Sequence, residues 1–231
     1  MIKAYRPSSK LIIALDGPAG SGKSTTARAL AQQLGVPYID TGAMYRAATL
    51  KAMRAGIDLK ETKKLIKTAR SVSIRFEEGR GGKQRVILDG KNVTDAIRRP
   101  ELTKNVFYVA QEPLIRREMV KKQRELGRKG GAVMEGRDIG TVVFPDADYK
   151  FFLDADPKLR AKRRYKELIA AGKRVTFEKV LNDLKRRDAT DIHRKEGPLR
   201  PAKDAIKIDT TSLTIQETVD RILHVIKPVR N

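Results

Sequence analysis

The stretch LIIALDGPAGSGKS, residues 11–24, joins a short apolar run of β type to a glycine loop, and an amphipathic helical stretch, ARALAQQL, follows it. Its eight residues Gly17, Pro18, Ala19, Gly20, Ser21, Gly22, Lys23 and Ser24 fit the phosphate-loop pattern G-x-x-x-x-G-K-[ST] without a mismatch. The glycines let the backbone curl until successive N–H groups face phosphate oxygens. Lys23 brings a cation to the β- and γ-phosphates, and the Ser24 hydroxyl is placed to ligate Mg²⁺. The helix that follows adds the positive end of its dipole. A strand, this loop and a helix in succession predict a donor site for ATP-Mg²⁺ made of residues 17–25.

Outward from the loop, VPYID (36–40) reads as a second strand. TGAMYRAATLKAMRAG (41–56) reads as a helix capped by Thr41 and stopped by Gly56. Alternating strands and helices predict an α/β fold with a central parallel five-stranded sheet. SVSIRF, QRVILDG and KNVTD then give three β-like runs in a row, the first two joined by the turn-like EEGRGGK (77–83). Three successive strands do not continue a doubly wound core, so residues 62–97 are expected to form a small three-stranded insertion. Beyond Pro100 come a long helical stretch, the strand GAVME, the loop GRDIGTVVFPDAD and the strand YKFFLD. Residues 156–176 are strongly basic and read as an exposed helical hairpin, with Pro157 in a first helical turn. AIKID and TIQETVDRILHVI supply a last strand and a closing helix. The predicted core is therefore 1–61, 98–155 and 177–231.

Composition narrows the chemistry. The 231 residues contain no cysteine and two histidines, His193 and His224. Disulfides, thiolate metal sites and cysteine nucleophiles are excluded, and a histidine-based hydrolase or zinc enzyme nearly so. No apolar run approaches the roughly twenty residues of a membrane span, and MIKAYRPSSK lacks a signal-like apolar core, so a cytosolic protein without a membrane partner is expected. Fifty Lys plus Arg against 28 Asp plus Glu leave a net charge of +22. Such a field suits nucleic acid, small phosphorylated substrates or a solvated surface. The basic residues spread over the whole chain, and the few aromatics are not interleaved with them as stacking platforms, which disfavours nucleic acid.

The loop alone serves ATPases, GTPases and kinases alike. No N-K-x-D guanine-reading segment is present, and no apolar strand ends in Asp-Glu as in ATP-driven motors. A kinase for a phosphorylated acceptor must hold two polyanions together, which calls for arginines. Arg46, Arg137, Arg163, Arg164, Arg187 and Arg194 all fall in or near segments that lead to the carboxyl edge of the sheet, where α/β proteins bind ligands. A phosphate-oxygen nucleophile, largely ionised near neutrality with a second pKa of about 6, needs no general base. Kinases for UMP, AMP or shikimate, and a basic ATP-dependent nucleic-acid-binding protein, are the competing readings.

IALDGPAGSGKST, IDTGAMYRA, PLIRRE, KKQREL, EGRDIGTVVFPDADYKFFLDA, RRYKEL, LKRRDATDIHR and PLRPAKDAIKIDTT together resemble one family, the bacterial-type cytidylate kinases of the nucleoside monophosphate kinase group. The resemblance runs over nearly the whole chain, and EGRDIGTVVFPDA is its most specific part. It implies phosphoryl transfer from ATP-Mg²⁺ to CMP or dCMP; apart from the resemblance, a monomer is the expectation. Thr41, Arg46, Arg137 and Arg194 would surround the acceptor phosphate, and Arg187 with Asp191 would lie near the ribose hydroxyls. Arg116 and Asp138 would read cytosine: a carboxylate accepts from the exocyclic amino group, and uracil's carbonyl would meet it lone pair to lone pair. Lys23, Arg137, Arg163, Arg164 and Arg187 would carry the catalysis, and residues 156–176 would be the family's helical lid, placing Arg163 and Arg164 over the transferring phosphoryl group. The family commonly has a serine before Pro113 that helps read the base; Phe107 aligns there. His193 and His224 receive no role.

Overall fold

The structure is a computed structural model that describes residues 11–79 and 84–226. The chain divides into two compact units. The first takes the chain up to Tyr38 and again from Gly127 onward; the second is Ile39–Leu126.

The first unit is built on β1 (Ile12–Asp16), whose five residues are all buried. An apolar run buried on both faces is what a central parallel strand requires. β1 pairs in parallel with β6 (Ala132–Gly136) on one side and β7 (Tyr149–Asp154) on the other, and β7 pairs in parallel with β8 (Ile206–Asp209). With β2 (Tyr38–Asp40) beyond β6, the order is β2-β6-β1-β7-β8, the five-stranded parallel sheet expected from the alternation of elements. Helices α1 (Lys23–Leu34) and α8 (Ile215–Val225) pack Ala27, Leu30 and Leu34, and Val219 and Ile222, against Ile13, Leu15, Val133, Phe151, Leu153 and Ile208. Gly35 ends α1 with φ 66°, and Thr214 with Glu217 forms a reciprocal cap on α8.

α6 (Pro157–Ala170) and α7 (Phe177–His193) follow β7 as a hairpin with an apolar cluster of its own. Ala161, Val180 and Leu184 are buried there together with Ala19 of the glycine loop. Pro157 occupies the first turn of α6, as its fixed φ favours.

In the second unit, β3 (Ile74–Glu78), β4 (Gln84–Leu88) and β5 (Lys91–Asn92) form the separate antiparallel three-stranded sheet, in that order. Of the turn read in EEGRGGK, Arg80–Lys83 lie outside the described residues. The remaining elements are α2 (Thr41–Arg54), α3 (Thr62–Ser71), α4 (Pro100–Ala110) and α5 (Pro113–Arg128), whose last two residues belong to the first unit.

Three local expectations are corrected. Thr41 is the first helical residue of α2, not its cap; Asp40 caps it, its carboxylate accepting from the Ala43 amide at 2.8 Å. Residues 62–71 form a helix inside a segment read only for its strands, because Leu65, Thr68 and Ala69 make a narrow buried stripe in an otherwise charged sequence. The segment 136–148, read as loop, contains a π-helical turn at Ile139–Val143, in which Phe144 N–H donates to the Ile139 carbonyl at 2.7 Å.

Position within the sheet sets the weight of each apolar residue. Ile13 is fully buried in β1, whereas Ile206 in β8 is 42% exposed. Ile13→Ala is expected to cost about 2–5 kcal/mol and Ile206→Ala under about 1 kcal/mol in chemical denaturation; equal losses would show that the sheet does not bury β1 as described.

Candidate active site

The loop leaves β1 after Asp16 and returns into α1 at Lys23. Gly17 has φ 152°, and a Cβ there would lie 2.0 Å from the Leu153 carbonyl oxygen, so no larger residue fits. Gly22 precedes α1 with φ 85°. Pro18, Ala19, Ser21 and Lys23 are buried, Gly20 and Gly22 partly so, and Ser24 and Thr25 face solvent. The Ser21 carbonyl accepts from the Thr210 hydroxyl at 3.0 Å. Lys23 folds back over the loop and donates to the Pro18 carbonyl at 3.0 Å. An ammonium held this way already stands over the loop, where anionic oxygens would meet it.

Ser24 donates its hydroxyl proton to Glu135 at 2.7 Å, and Tyr38 donates to the other oxygen of the same carboxylate. Glu135 is 2% exposed near the carboxyl end of β6. With the Ser24 proton committed to Glu135, the hydroxyl oxygen presents lone pairs, which is the arrangement a hard cation needs. No three acidic or imidazole side chains gather into a metal site among the described residues. A magnesium ion would therefore depend on the donor's phosphates, with Ser24 as the fitting protein ligand.

Past β6, four of the arginines and carboxylates singled out in the sequence come together. Arg137 Nε donates to Asp191 at 2.8 Å. Arg194 approaches Asp138 at 3.3 Å and Asp191 at 3.8 Å, and its Nε donates to the Gly197 carbonyl. Burial disfavours the charge on Arg137, but Asp191, Glu135 and Asp188 outweigh it and raise its pKa. Burial would likewise push Asp191 up, and Arg137, Arg187 and Arg194 hold it below the ordinary carboxylate range instead. Arg187 is exposed on α7 and acts on this cluster through its field.

The second unit holds Thr41, Arg46 and Arg116. Thr41 is buried at the start of α2, and Arg46 one turn later pairs with Asp40 at 2.8 Å. A Cβ on Gly42 would crowd both partners at 3.1 Å, so glycine makes room for the pair. Arg46 Nε is buried with no hydrogen-bond partner, a donor left for something further to accept. Burial raises Asp40, and Arg46, the Ala43 amide and Arg98 outweigh it, leaving its pKa low. Arg116 is 3% exposed, donates to the Ala110 carbonyl at 3.1 Å and lies 5.5 Å from the Tyr45 ring centroid. Phe107 is 45% exposed on α4, edge-to-face with Tyr108.

Arg163 and Arg164 of the hairpin bond to groups other than the cluster's carboxylates. Arg163 donates to the Thr210 carbonyl at 2.7 Å, and Arg164 pairs with Glu167 one turn on at 2.9 Å. His193 is engaged within α7, its Nδ1 lying 2.8 Å from the Ala189 carbonyl oxygen.

A family model described as cytidylate kinase matches residues 13–228. The chain belongs to the cytidylate kinase family. A cytidylate kinase of Anoxybacillus flavithermus is 50% identical over 218 residues, covering 94% of this chain and 96% of the relative. One from Bacillus subtilis is 47% identical over 218 residues, covering 94% and 97%. Among solved structures, an uncharacterized protein from Eubacterium ventriosum matches with TM-score 0.51 at 17% identity, over 94% of this chain and 98% of that one, a likeness of fold alone. Among the described residues no helix is long and apolar enough to cross a membrane.

Two carboxylates of this family member escaped the sequence reading. Glu135 closes VME and Asp16 closes ALD; the usable signal was an acidic residue at the carboxyl end of each of two apolar strands. Asp16 accepts from the amides of Ile139 and Gly140, both at 2.8 Å. Burial nevertheless pushes its pKa from 3.8 up to about 7, helped by Asp138 and opposed by the two amides and Arg137. A raised pKa means that the folded state holds the proton more tightly than the unfolded chain. The contribution is thus full below about pH 4 and is lost as pH rises to about 7, a swing on the order of 4 kcal/mol. Denaturation from pH 4.5 to 7.5 should therefore show a falling limb (both limits approximate) that Asp16→Asn flattens; identical slopes in the two proteins would refute this origin.

Proposed function

We propose that this chain transfers the γ-phosphoryl group of ATP to CMP or dCMP, giving ADP and CDP or dCDP, in the cytosol as a step of pyrimidine nucleotide metabolism. The observation that carries the reading is the occurrence, in one compact unit, of a complete phosphate loop and the cluster Arg137–Asp138–Asp191–Arg194. Arginines held by buried carboxylates are oriented before a ligand arrives, and oriented guanidinium groups bind phosphate in two-pronged fashion.

The loop amides and Lys23 hold the β- and γ-phosphates. Ser24 would be the protein ligand of a Mg²⁺ ion accompanying ATP, which would neutralise phosphate charge there. An oxygen of the acceptor's phosphate attacks the γ-phosphorus; the bond to the leaving ADP oxygen breaks as the new one forms. Arg137 and Arg194 in the first unit, and Thr41 and Arg46 in the second, serve the acceptor phosphate; Arg46 has a buried donor still to be satisfied. Arg187 and Asp191 serve the ribose. Asp138 accepts from the cytosine amino group and Arg116 donates to the ring acceptors. Residues 62–97 act as the acceptor-binding insertion, and residues 156–176 as a lid bringing Arg163 and Arg164 over the transferring group and excluding water. The protein acts as a monomer with no nucleic-acid or membrane partner.

The decisive measurement is ADP release across CMP, dCMP, UMP, AMP and shikimate. CMP and dCMP are expected to lead by kcat/KM, and CMP and dCMP no better than AMP would end the reading. Asp138→Ala should lower the CMP to UMP ratio of kcat/KM about tenfold or more, the loss expected when one base-edge contact of roughly 1–3 kcal/mol disappears. An unchanged ratio would remove Asp138 from base reading.

A further inference from the structure

A phosphate loop turns its amides inward, so its carbonyls point outward and, where buried, need donors of their own. The Ala19 carbonyl, near the apex, has one in Arg160. This arginine opens the run RAKRR but shares neither the surface position of Arg164 nor the partners of Arg163. It is 5% exposed. Nε donates to the Ala155 carbonyl at 3.0 Å, and Nη1 donates both to the Ala19 carbonyl at 3.0 Å and to Asp188 at 2.6 Å. One guanidinium group thus ties together the end of β7, the loop apex and the inner face of α7.

Packing points the same way. A Cβ on Gly20 would lie 3.1 Å from the Cβ and the carbonyl oxygen of Arg160, so the loop rests directly on the first turn of α6. Ala19 is buried with Ala161, Val180 and Leu184. Asp188 is itself a junction: Oδ2 takes Arg160, Oδ1 is buried without a hydrogen-bond partner, and its charge supports Arg137. One turn further along α7, Asp191 holds Arg137 directly.

We propose that Arg160 and Asp188 are positioning residues for the donor site: they fix the Ala19 peptide so that the loop amides face inward before ATP arrives. This rests on the reading of the loop as an ATP site. The gain is preorganisation, since ordering the loop beforehand removes that cost from binding. Asp188 neutralises the buried guanidinium group that does the holding, and without it the arginine would be an uncompensated buried charge.

The test is direct calorimetric titration of ATP-Mg²⁺ without acceptor, on the wild type, Arg160→Lys, Asp188→Asn and the double variant. An ammonium group cannot span three acceptors in a planar fork, so Arg160→Lys should weaken ATP binding about tenfold or more, as expected for losing charge-assisted hydrogen bonds. Asp188→Asn should weaken it comparably, and the double variant should be no worse than the poorer single, because one unit is broken either way. In Arg160→Lys, KM for ATP should rise while KM for CMP stays within about twofold. A merely structural role would instead lower the melting temperature and weaken both ligands in parallel. Unchanged ATP affinity in a folded Arg160→Lys, or fully additive losses, would overturn the proposal. If Arg160→Lys does not fold, unchanged affinity in Asp188→Asn overturns it alone. Failure of the wild type to bind ATP would sink the donor-site reading itself.

Discussion

The contact on which the rest of the site depends is the approach of Gly17 to the carbonyl of Leu153. With no side chain at Gly17 the chain can leave β1 across the end of β7, where any Cβ would stand 2.0 Å from that oxygen. This crossing starts the loop above the carboxyl edge of a parallel sheet. Three of its carbonyls are then held by side chains, Pro18 by the loop's own Lys23, and Ala19 and Ser21 from outside by Arg160 and Thr210. These donors come from α1, α6 and the residue after β8. The loop's shape is thus set by tertiary structure as much as by its glycines.

The same edge concentrates buried charge, and each group's titration reflects its partners. Asp16 is bonded by two amide dipoles, and the weaker pull of Arg137 is offset by Asp138, so burial dominates and its carboxyl keeps a proton to about pH 7. Asp191 faces Arg137 and Arg194, and stays ionised despite burial. The two lie in one unit with opposite shifts, because a dipole compensates desolvation less than a full charge does. The two carboxylates therefore divide the labour. Ionised Asp191 orients the arginines, while Asp16, through the π-helical turn, holds the backbone at Ile139 and Gly140 beside Asp138.

The loop, the parallel sheet and the separate three-stranded sheet were legible because each rests on a local pattern: a fixed spacing, an apolar run, a run of β-formers; the cluster arginines were singled out only by what two phosphates demand and by family resemblance. Glu135, Asp16 and Arg160 were not. Glu135 matters because β6 lies beside β1 and puts it against Ser24, a pairing 111 residues apart in sequence. Arg160 looked like any member of a basic run, and only burial separates it from Arg164. Asp40 displaced Thr41 as the cap of α2 because a carboxylate, being charged, is the stronger acceptor for the Ala43 amide. The helix at Thr62–Ser71 was hidden by its short buried stripe, and the π-helical turn by having no sequence signature.

The net charge of +22 divides along the same line. Several exposed cations pair only with a neighbour one turn away, as Lys64 does with Glu61, Arg164 with Glu167 and Arg186 with Asp183. Such pairs are worth roughly 0.2–1 kcal/mol each and define no geometry. Arg137, Arg160 and Arg194 instead meet carboxylates from distant segments or behind a helix end, with side chains at most 15% exposed. Buried charge is tolerated only when paired and bonded, so those arginines are held where a solvated lysine would not be. The surface surplus raises the local concentration of anionic nucleotides from any direction. The few buried arginines combine charge with an orientation that their carboxylate partners fix, which the exposed cations of the surface lack.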